Sequence, residues 1–477
     1  MSVLNDLKKG VIYNSIGKYS NLIISFLIQA ILSRLLSPEE FGIVAIINIF
    51  LVFFQLLSDF GIGPAIIQNK NLSDDDIKNI FSFTVYFSIG LSLLFAVFGY
   101  PASLFYNNSV FIKVFPVMGF ALLFNSLMLV PQNLALKNKQ FKIVNYVQII
   151  GSITNGLVSI LAAYFGFSYY SLIFGHIARA FIQWFLFMYY QPVSFSKTFK
   201  LYSLKKIYRF SRNQLSFNII NYFSRNLDSL LIGRYMPADQ LGYYDKAYQL
   251  SLYPNTIFTS VITAAIQPIF SHFESEKEKL YQGYIFLTRI LSNFGIPLSV
   301  FLFFSGKEII IFLFGDQWLA SVPAFQILAL SVWIQMLQSS TGGFFQSADR
   351  TDLLLLSGVL STIVNVAGII VGVYMGSIYK VATALLITFS LNFLQTNYLM
   401  IKVLFGHSLI DFFKILIKPM IIGALATCMY LLMPNIHLSN FFVLVIKGII
   451  FLIALVIGLY LTGQLNELRQ LISKTSK

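Results

Sequence analysis

The sequence predicts an all-α integral membrane protein of about 14 transmembrane helices, two parallel six-helix lobes followed by two C-terminal helices. Three observations carry this. Of 477 residues, 57% are hydrophobic and only 11% charged, with mean hydropathy +0.75; a soluble domain carries about 25% charged residues. Apolar runs long enough for spans of about 20 residues succeed one another with short loops between them. The first hairpin also recurs 200 positions later.

A window of about 19 residues places the first six spans at 11–33, 41–63, 79–105, 109–131, 143–165 and 169–190. Six more follow at 211–235, 243–268, 282–304, 324–347, 352–375 and 378–402, and two at 411–433 and 438–463. Residues 307–314 read as an extension of the ninth span. The domains are then an N-lobe at 1–196, a cytoplasmic linker at 197–210, a C-lobe at 211–404, and 405–477 with the last two spans and a cytoplasmic tail. The linker is basic, and reads equally as an amphipathic segment on the membrane surface or as a solvated connection.

Loop charge orients the chain. One alternate set of loops holds Lys8, Lys9, Lys70, Lys78, Lys137, Lys139, Lys142, Lys205, Lys206, Arg209, Lys277, Lys279, Arg350 and Lys402. The other holds little beyond Arg34, Arg234, Lys307 and Lys380. By the positive-inside rule both termini are cytoplasmic.

Several classes are excluded. The formal net charge of +14 lies in loops rather than in a basic groove, so nucleic acid is not an expected partner. Cys428 is the single cysteine, and His176, His272, His407 and His437 are scattered, so no metal site is expected. No HExxH, paired carboxylates or P-loop appears. The chain is not expected to be an enzyme, and no cofactor is expected.

The repeat sets the architecture. Arg34-Leu-Leu-Ser-Pro-Glu-Glu-Phe-Gly42 overlays Arg234-Tyr-Met-Pro-Ala-Asp-Gln-Leu-Gly242 without a gap. The preceding spans match too: Asn14, Lys18, Asn21, Ser25 and Gln29 against Gln214, Asn218, Asn221, Arg225 and Ser229. Steps of four, three, four and four residues put each set on one helical face. Six spans per copy bring the second in from the same side, as in transporters built from parallel repeats around a central site. The last two spans fall outside the repeat, and read as packing helices or as a lipid-facing groove.

A charge within a span costs about 2.5–3.5 kcal/mol and usually faces a bundle interior or a wet cavity. Arg179 and Arg289 have no local carboxylate and are cavity candidates. Lys18 reads as a cavity cation or as one partly snorkelling to the inner face. Arg225 has Asp228 within reach as an i, i+3 partner, which leaves an ion pair and a cavity cation both open. Asp59, Asp228 and Asp245 are the candidates for gating or ion coupling. Span five carries Asn145, Gln148, Ser152, Asn155 and Ser159 on one face, suited to a wet sugar-sized cavity or to helix contacts; Asn21, Asn218 and Asn221 extend the polar candidates.

Four stretches, LSRLLSPEEFG at 32–42, LLSDFGIGPAIIQ at 56–68, NYFSRNLDSLLIGRYMPADQLGYYDKAYQLSLYP at 221–254 and FGDQWLASVPAFQILAL at 314–330, give the chain a family look. It resembles the Wzx-like polysaccharide transporters of the multidrug/oligosaccharidyl-lipid/polysaccharide flippase superfamily. The resemblance implies a flippase in the bacterial cytoplasmic membrane that moves an undecaprenyl-pyrophosphate-linked oligosaccharide from the inner to the outer leaflet. It implies Lys18, Arg179, Arg225 and Arg289 as the cations of the headgroup site, since pyrophosphate needs cations and donors at depth. A proton or sodium gradient is a conceivable drive, and membrane lipids, a polysaccharide polymerase and glycosyltransferases are the expected partners. The rivals are a drug/cation antiporter, expected to hold more acids than bases in its cavity, a peptidoglycan lipid-precursor flippase, and a polysaccharide polymerase, which would need larger outer loops.

Overall fold

The turn opening the repeat is built by its own side chains. In the computed structural model the Ser37 backbone N–H and hydroxyl donate to Glu40 Oε2 at 2.6 and 3.0 Å, and the Glu40 N–H donates back to Ser37 Oγ at 3.4 Å. This is the S-x-x-E capping box, with Pro38 in the first turn, where a missing N–H costs nothing. Ser73 and Asp76 build another: the Asp76 N–H donates to Ser73 Oγ at 3.2 Å, and the Ser73 N–H to Asp76 Oδ2 at 3.1 Å.

The structure describes residues 2–59, 62–69, 72–197, 222–223, 225–274, 276–434 and 438–465. Among them every regular element is helical. In order these are α1 (Ser2–Leu35), α2 (Pro38–Asp59), α3 (Ile62–Gln68), α4 (Asp74–Tyr106), α5 (Val110–Leu127), α6 (Leu129–Lys137), α7 (Phe141–Tyr164) and α8 (Tyr170–Tyr190). There follow α9 (225–235), α10 (Ala238–Phe270), α11 (Lys277–Phe304), α12 (Gly306–Phe314), α13 (Val322–Leu330), α14 (Val332–Ser347), α15 (Thr351–Tyr374), α16 (Ile378–Asn397), α17 (Leu409–Leu431) and α18 (Asn440–Leu461).

Ten helical segments are long and apolar enough to cross a membrane among the described residues, or 11 if the bent stretch Asp316–Ser347 counts as one span. The tenth span, expected at 324–347, falls within this stretch, which bends by 49° between Leu330 and Val332. The expected extension of the ninth span is instead a separate helix, α12, which starts after Ser305. The expected count of 14 is not reached by length and apolarity among the described residues, and the seventh expected span is described only from residue 222.

Contacts divide the chain into two compact units, Met1–Gly242 and Tyr243–Lys477. The expected linker at 197–210 lies outside the described residues apart from Lys197. Just before it, the Ser196 N–H donates to Ser82 Oγ at 2.9 Å and the Lys197 carbonyl accepts from the Tyr86 hydroxyl at 3.0 Å, so residues 196–197 are hydrogen-bonded to α4.

In the first unit Phe50, Phe54, Phe95 and Phe115 join α2, α4 and α5, with ring centroids 4.8–5.9 Å apart. Lipid tails are as apolar as these rings, so close packing rather than water exclusion holds such helices together. Small residues supply the closeness. A Cβ on Gly156 would lie 2.5 Å from Ile28, and one on Gly175 only 1.8 Å from Ser159 Oγ.

In the second unit the buried Tyr284 donates its hydroxyl to Asn397 Oδ1 at 2.7 Å, stacks on Phe412 and meets Phe344 edge-on. The last two helices pack on α11. A Cβ on Gly423 of α17 would sit 2.8 Å from Ile296, and Phe451 of α18 lies 5.4 Å from Phe301.

Candidate functional site

The polar face of α1 meets α7. The Asn21 amide donates to the Gly17 carbonyl at 2.9 Å, and its Oδ1 accepts from the Ser152 hydroxyl at 2.7 Å. One turn earlier Gly17 faces Asn145 so closely that a Cβ there would lie 1.9 Å from Asn145 Oδ1. Asn145 in turn donates to the Phe141 carbonyl at 2.8 Å. Lys18, the next residue, is exposed.

The other side of α7 meets α8. Gln148 Oε1 accepts from Gln183 Nε2 at 3.0 Å and from Arg179 Nη2 at 3.5 Å. Gly151 makes room for Gln183, and Asn155 and Ser159 face Gly175. The polar stripe of span five therefore divides, with Asn145 and Ser152 toward α1 and Gln148, Asn155 and Ser159 toward α8. The second unit has a comparable seam between α15 and α16, where Asn392 donates to Asn365 at 2.9 Å and Gln395 to Ser361 at 2.9 Å.

The structure thus brings Lys18, Asn21, Asn145, Gln148 and Arg179 onto one three-helix group, α1, α7 and α8. Arg179 has one amide partner there, Gln148, and no carboxylate bonds it among the described residues. A half-buried guanidinium with spare donors beside two glutamine amides can bind an oxyanion bidentately.

The remaining described candidates lie on other helices. Arg225 is exposed, while Asp228 is 4% exposed and accepts from the Ser229 N–H at 2.9 Å. Asn218 and Asn221 lie outside the described residues. Asp59 Oδ1 accepts from the Gly63 N–H at 3.1 Å, closing the step from α2 to α3. Arg289 is exposed on α11, and Asp245 accepts from Gln249 at 2.7 Å.

Two features were missed by sequence reasoning. Lys246, 2% exposed, lies 5.2 Å from the Phe314 ring centroid and 5.5 Å from that of Trp318. The other feature is Lys447. It pairs with Glu308 at 2.8 Å and donates to the Phe304 carbonyl at 2.7 Å, tying α18 to the start of α12. FGDQW holds both Phe314 and Trp318, yet nothing local ties either to Lys246.

Comparison with known proteins places this architecture. Residues 31–323 match a family model described as "Polysaccharide biosynthesis protein". The chain is 24% identical over 429 residues to the teichuronic acid biosynthesis protein TuaB of Bacillus subtilis, covering 89% of this chain and 88% of TuaB. It is 22% identical over 432 residues to the lipopolysaccharide biosynthesis protein WzxC of Escherichia coli, covering 88% and 84%. Its fold is similar to the lipid II flippase MurJ in an inward closed conformation, with TM-score 0.74, 14% identity and coverage of 93% and 97%. The chain belongs to the polysaccharide biosynthesis protein family, with a fold similar to that of the lipid II flippase MurJ.

Proposed function

We propose that the protein is a flippase carrying undecaprenyl-pyrophosphate-linked oligosaccharide units from the inner to the outer leaflet of the bacterial cytoplasmic membrane, for capsule, O-antigen or exopolysaccharide synthesis. The family match over residues 31–323 carries this reading. The names of TuaB and WzxC, both biosynthesis proteins for cell-surface glycans, favour a glycan substrate.

In this reading the 1–196 and 211–404 lobes alternate in access around a cationic cavity, with both termini cytoplasmic. Lys18, Arg179, Arg225 and Arg289 hold the pyrophosphate, Asn21, Asn145, Gln148, Asn218 and Asn221 line the sugar path, and no catalytic step or cofactor is needed. Charge supports the anionic substrate: Arg179 has no carboxylate partner among the described residues, where a cation antiporter would hold acids. Asp228, the most buried of the three acids, is the best placed for coupling to a proton or sodium gradient. Polymerase and glycosyltransferases are the neighbours such a cycle would serve.

Reconstitution in proteoliposomes with a fluorescent undecaprenyl-pyrophosphate saccharide tests this. Protein-dependent loss of fluorophore from the loading leaflet is the expected result. Gradient-driven export of organic cations, without movement of the lipid, would move the protein to the antiporter class.

A further inference from the structure

The start of α12 is a capping motif left open. Ser305 is the single residue between α11 and α12, with φ −100° and ψ 5°. With Glu308 three residues on, it makes the S-x-x-E pattern that closes a capping box at Ser37 and Glu40. Here no side-chain bond caps the helix. Ser305 is 0% exposed, and its hydroxyl and Glu308 Oε2 are both buried without a hydrogen bond among the described residues. Buried polar atoms are nearly always bonded, so two orphans that are each other's natural partners call for a cause.

The cause is α18. Its Lys447 takes Glu308 Oε1 at 2.8 Å and the Phe304 carbonyl at 2.7 Å, which draws the carboxylate away from Ser305. The Lys447 carbonyl accepts from the Tyr430 hydroxyl at 2.8 Å, and the Tyr430 ring stacks on Phe304 at 5.2 Å, so Glu308 holds the α17–α18 pair as a whole. Lys447 also has a way out. It lies seven residues into α18, about 10 Å from the helix start, and helical side chains lean toward that end, where a lysine snorkels to the membrane boundary. At the far end of α12, the Phe314 and Trp318 rings lie 5.2 and 5.5 Å from Lys246 of α10. One short helix thus bridges α10, which belongs to the repeat, and α18, which does not.

We propose that Glu308 is a two-position latch. Bound to Lys447, as here, it docks α18 on α12. Turned back to Ser305, it closes the capping box and releases α18, with Lys447 solvated at the membrane boundary. Each position satisfies a group that the other leaves open: docking orphans the Ser305 hydroxyl, and release takes the carboxylate from Lys447. That balance is what a two-state element needs. The latch rests on contacts within the second unit and not on the transport reading, so either can fail alone.

The test is a cycle of melting temperatures in detergent. Ser305→Ala in the otherwise wild-type protein should leave the melting temperature unchanged, because the docked state gives that hydroxyl no partner. In a Lys447→Met background, where Glu308 is free to close the box, the same substitution should lower it by about 2 °C, as loss of a helix cap does. Equal effects of Ser305→Ala in the two backgrounds overturn the proposal. A second measurement does not depend on the lysine variant. Spin labels on Lys307→Cys and Phe442→Cys, in protein whose single native cysteine is removed by Cys428→Ser, report the separation of α12 and α18. Two distances are expected, and Ser305→Ala should remove the longer, undocked one. A single distance that Ser305→Ala leaves unchanged overturns the latch as well.

Discussion

Gly42 and Gly242, 200 positions apart in sequence, meet backbone to backbone. A Cβ on Gly42 would lie 1.8 Å from the Ala238 carbonyl oxygen, and one on Gly242 would lie 2.0 Å from the Pro38 carbonyl oxygen. The contact is reciprocal, each repeat's glycine facing the start of the helix that follows the other's turn. Matching glycines in the two hairpins thus have a packing reason, since no side chain fits at either position.

Substitution at either glycine should therefore cost as an overpacked contact does. Gly42→Ala and Gly242→Ala are each expected to destabilise by about 1–3 kcal/mol, read as a lowered melting temperature in detergent. The obstructing atoms are backbone, so neighbouring side chains cannot relieve the clash. Wild-type stability in both variants would mean that the turns do not meet.

The Lys447–Glu308 pair, with both side chains about 15% exposed, predicts strong coupling. Lys447→Met leaves Glu308 partly buried without its cation and should cost up to about 3 kcal/mol. The double variant Lys447→Met, Glu308→Leu should recover most of that loss. Additive losses in a double-mutant cycle would show that the pair is not formed.

Asp59 is an acceptor for the Gly63 N–H, and asparagine keeps an acceptor oxygen. Asp59→Asn should retain both stability and lipid translocation, whereas Asp59→Ala should lose about 1 kcal/mol, as a missing helix cap does. Loss of gradient-driven transport in a well-folded Asp59→Asn would instead make this carboxylate part of the coupling.

At the α7–α8 seam, structure and chemistry separate. Gln183→Leu removes a helix-to-helix hydrogen bond worth about 0.6 kcal/mol in a membrane, a small shift in melting temperature. Arg179→Ala should leave the fold similarly intact but remove translocation if, as proposed, its donors hold the pyrophosphate. An Arg179→Ala protein that still translocates at the wild-type rate would make Arg179 a structural residue.

The parts of this fold legible in the sequence are those written in local spacing. Ser37 and Glu40 are three residues apart, so the capping box could be read directly; Gly42 and Gly242 could be paired because the repeat keeps register. Span boundaries followed apolar runs, except where backbone geometry intervened, as at the bend before Val332. What lay hidden was partnership at long range. Glu308 lies 139 positions from Lys447, and Gln183 lies 35 from Gln148. The side chosen by each polar residue of α7 was equally hidden. Asn145, Gln148 and Ser152 share a helical face by spacing, but only the neighbours on either side decide which turn to α1 and which to α8.

The most direct test of the account is the translocation rate of the fluorescent undecaprenyl-pyrophosphate saccharide, compared between wild type and the Arg179→Ala, Arg225→Ala double variant in matched proteoliposomes. The account predicts movement by the wild type and loss of at least most of it in the variant, with unchanged circular dichroism and melting temperature. Equal rates in the two proteins would contradict a headgroup site built on these cations.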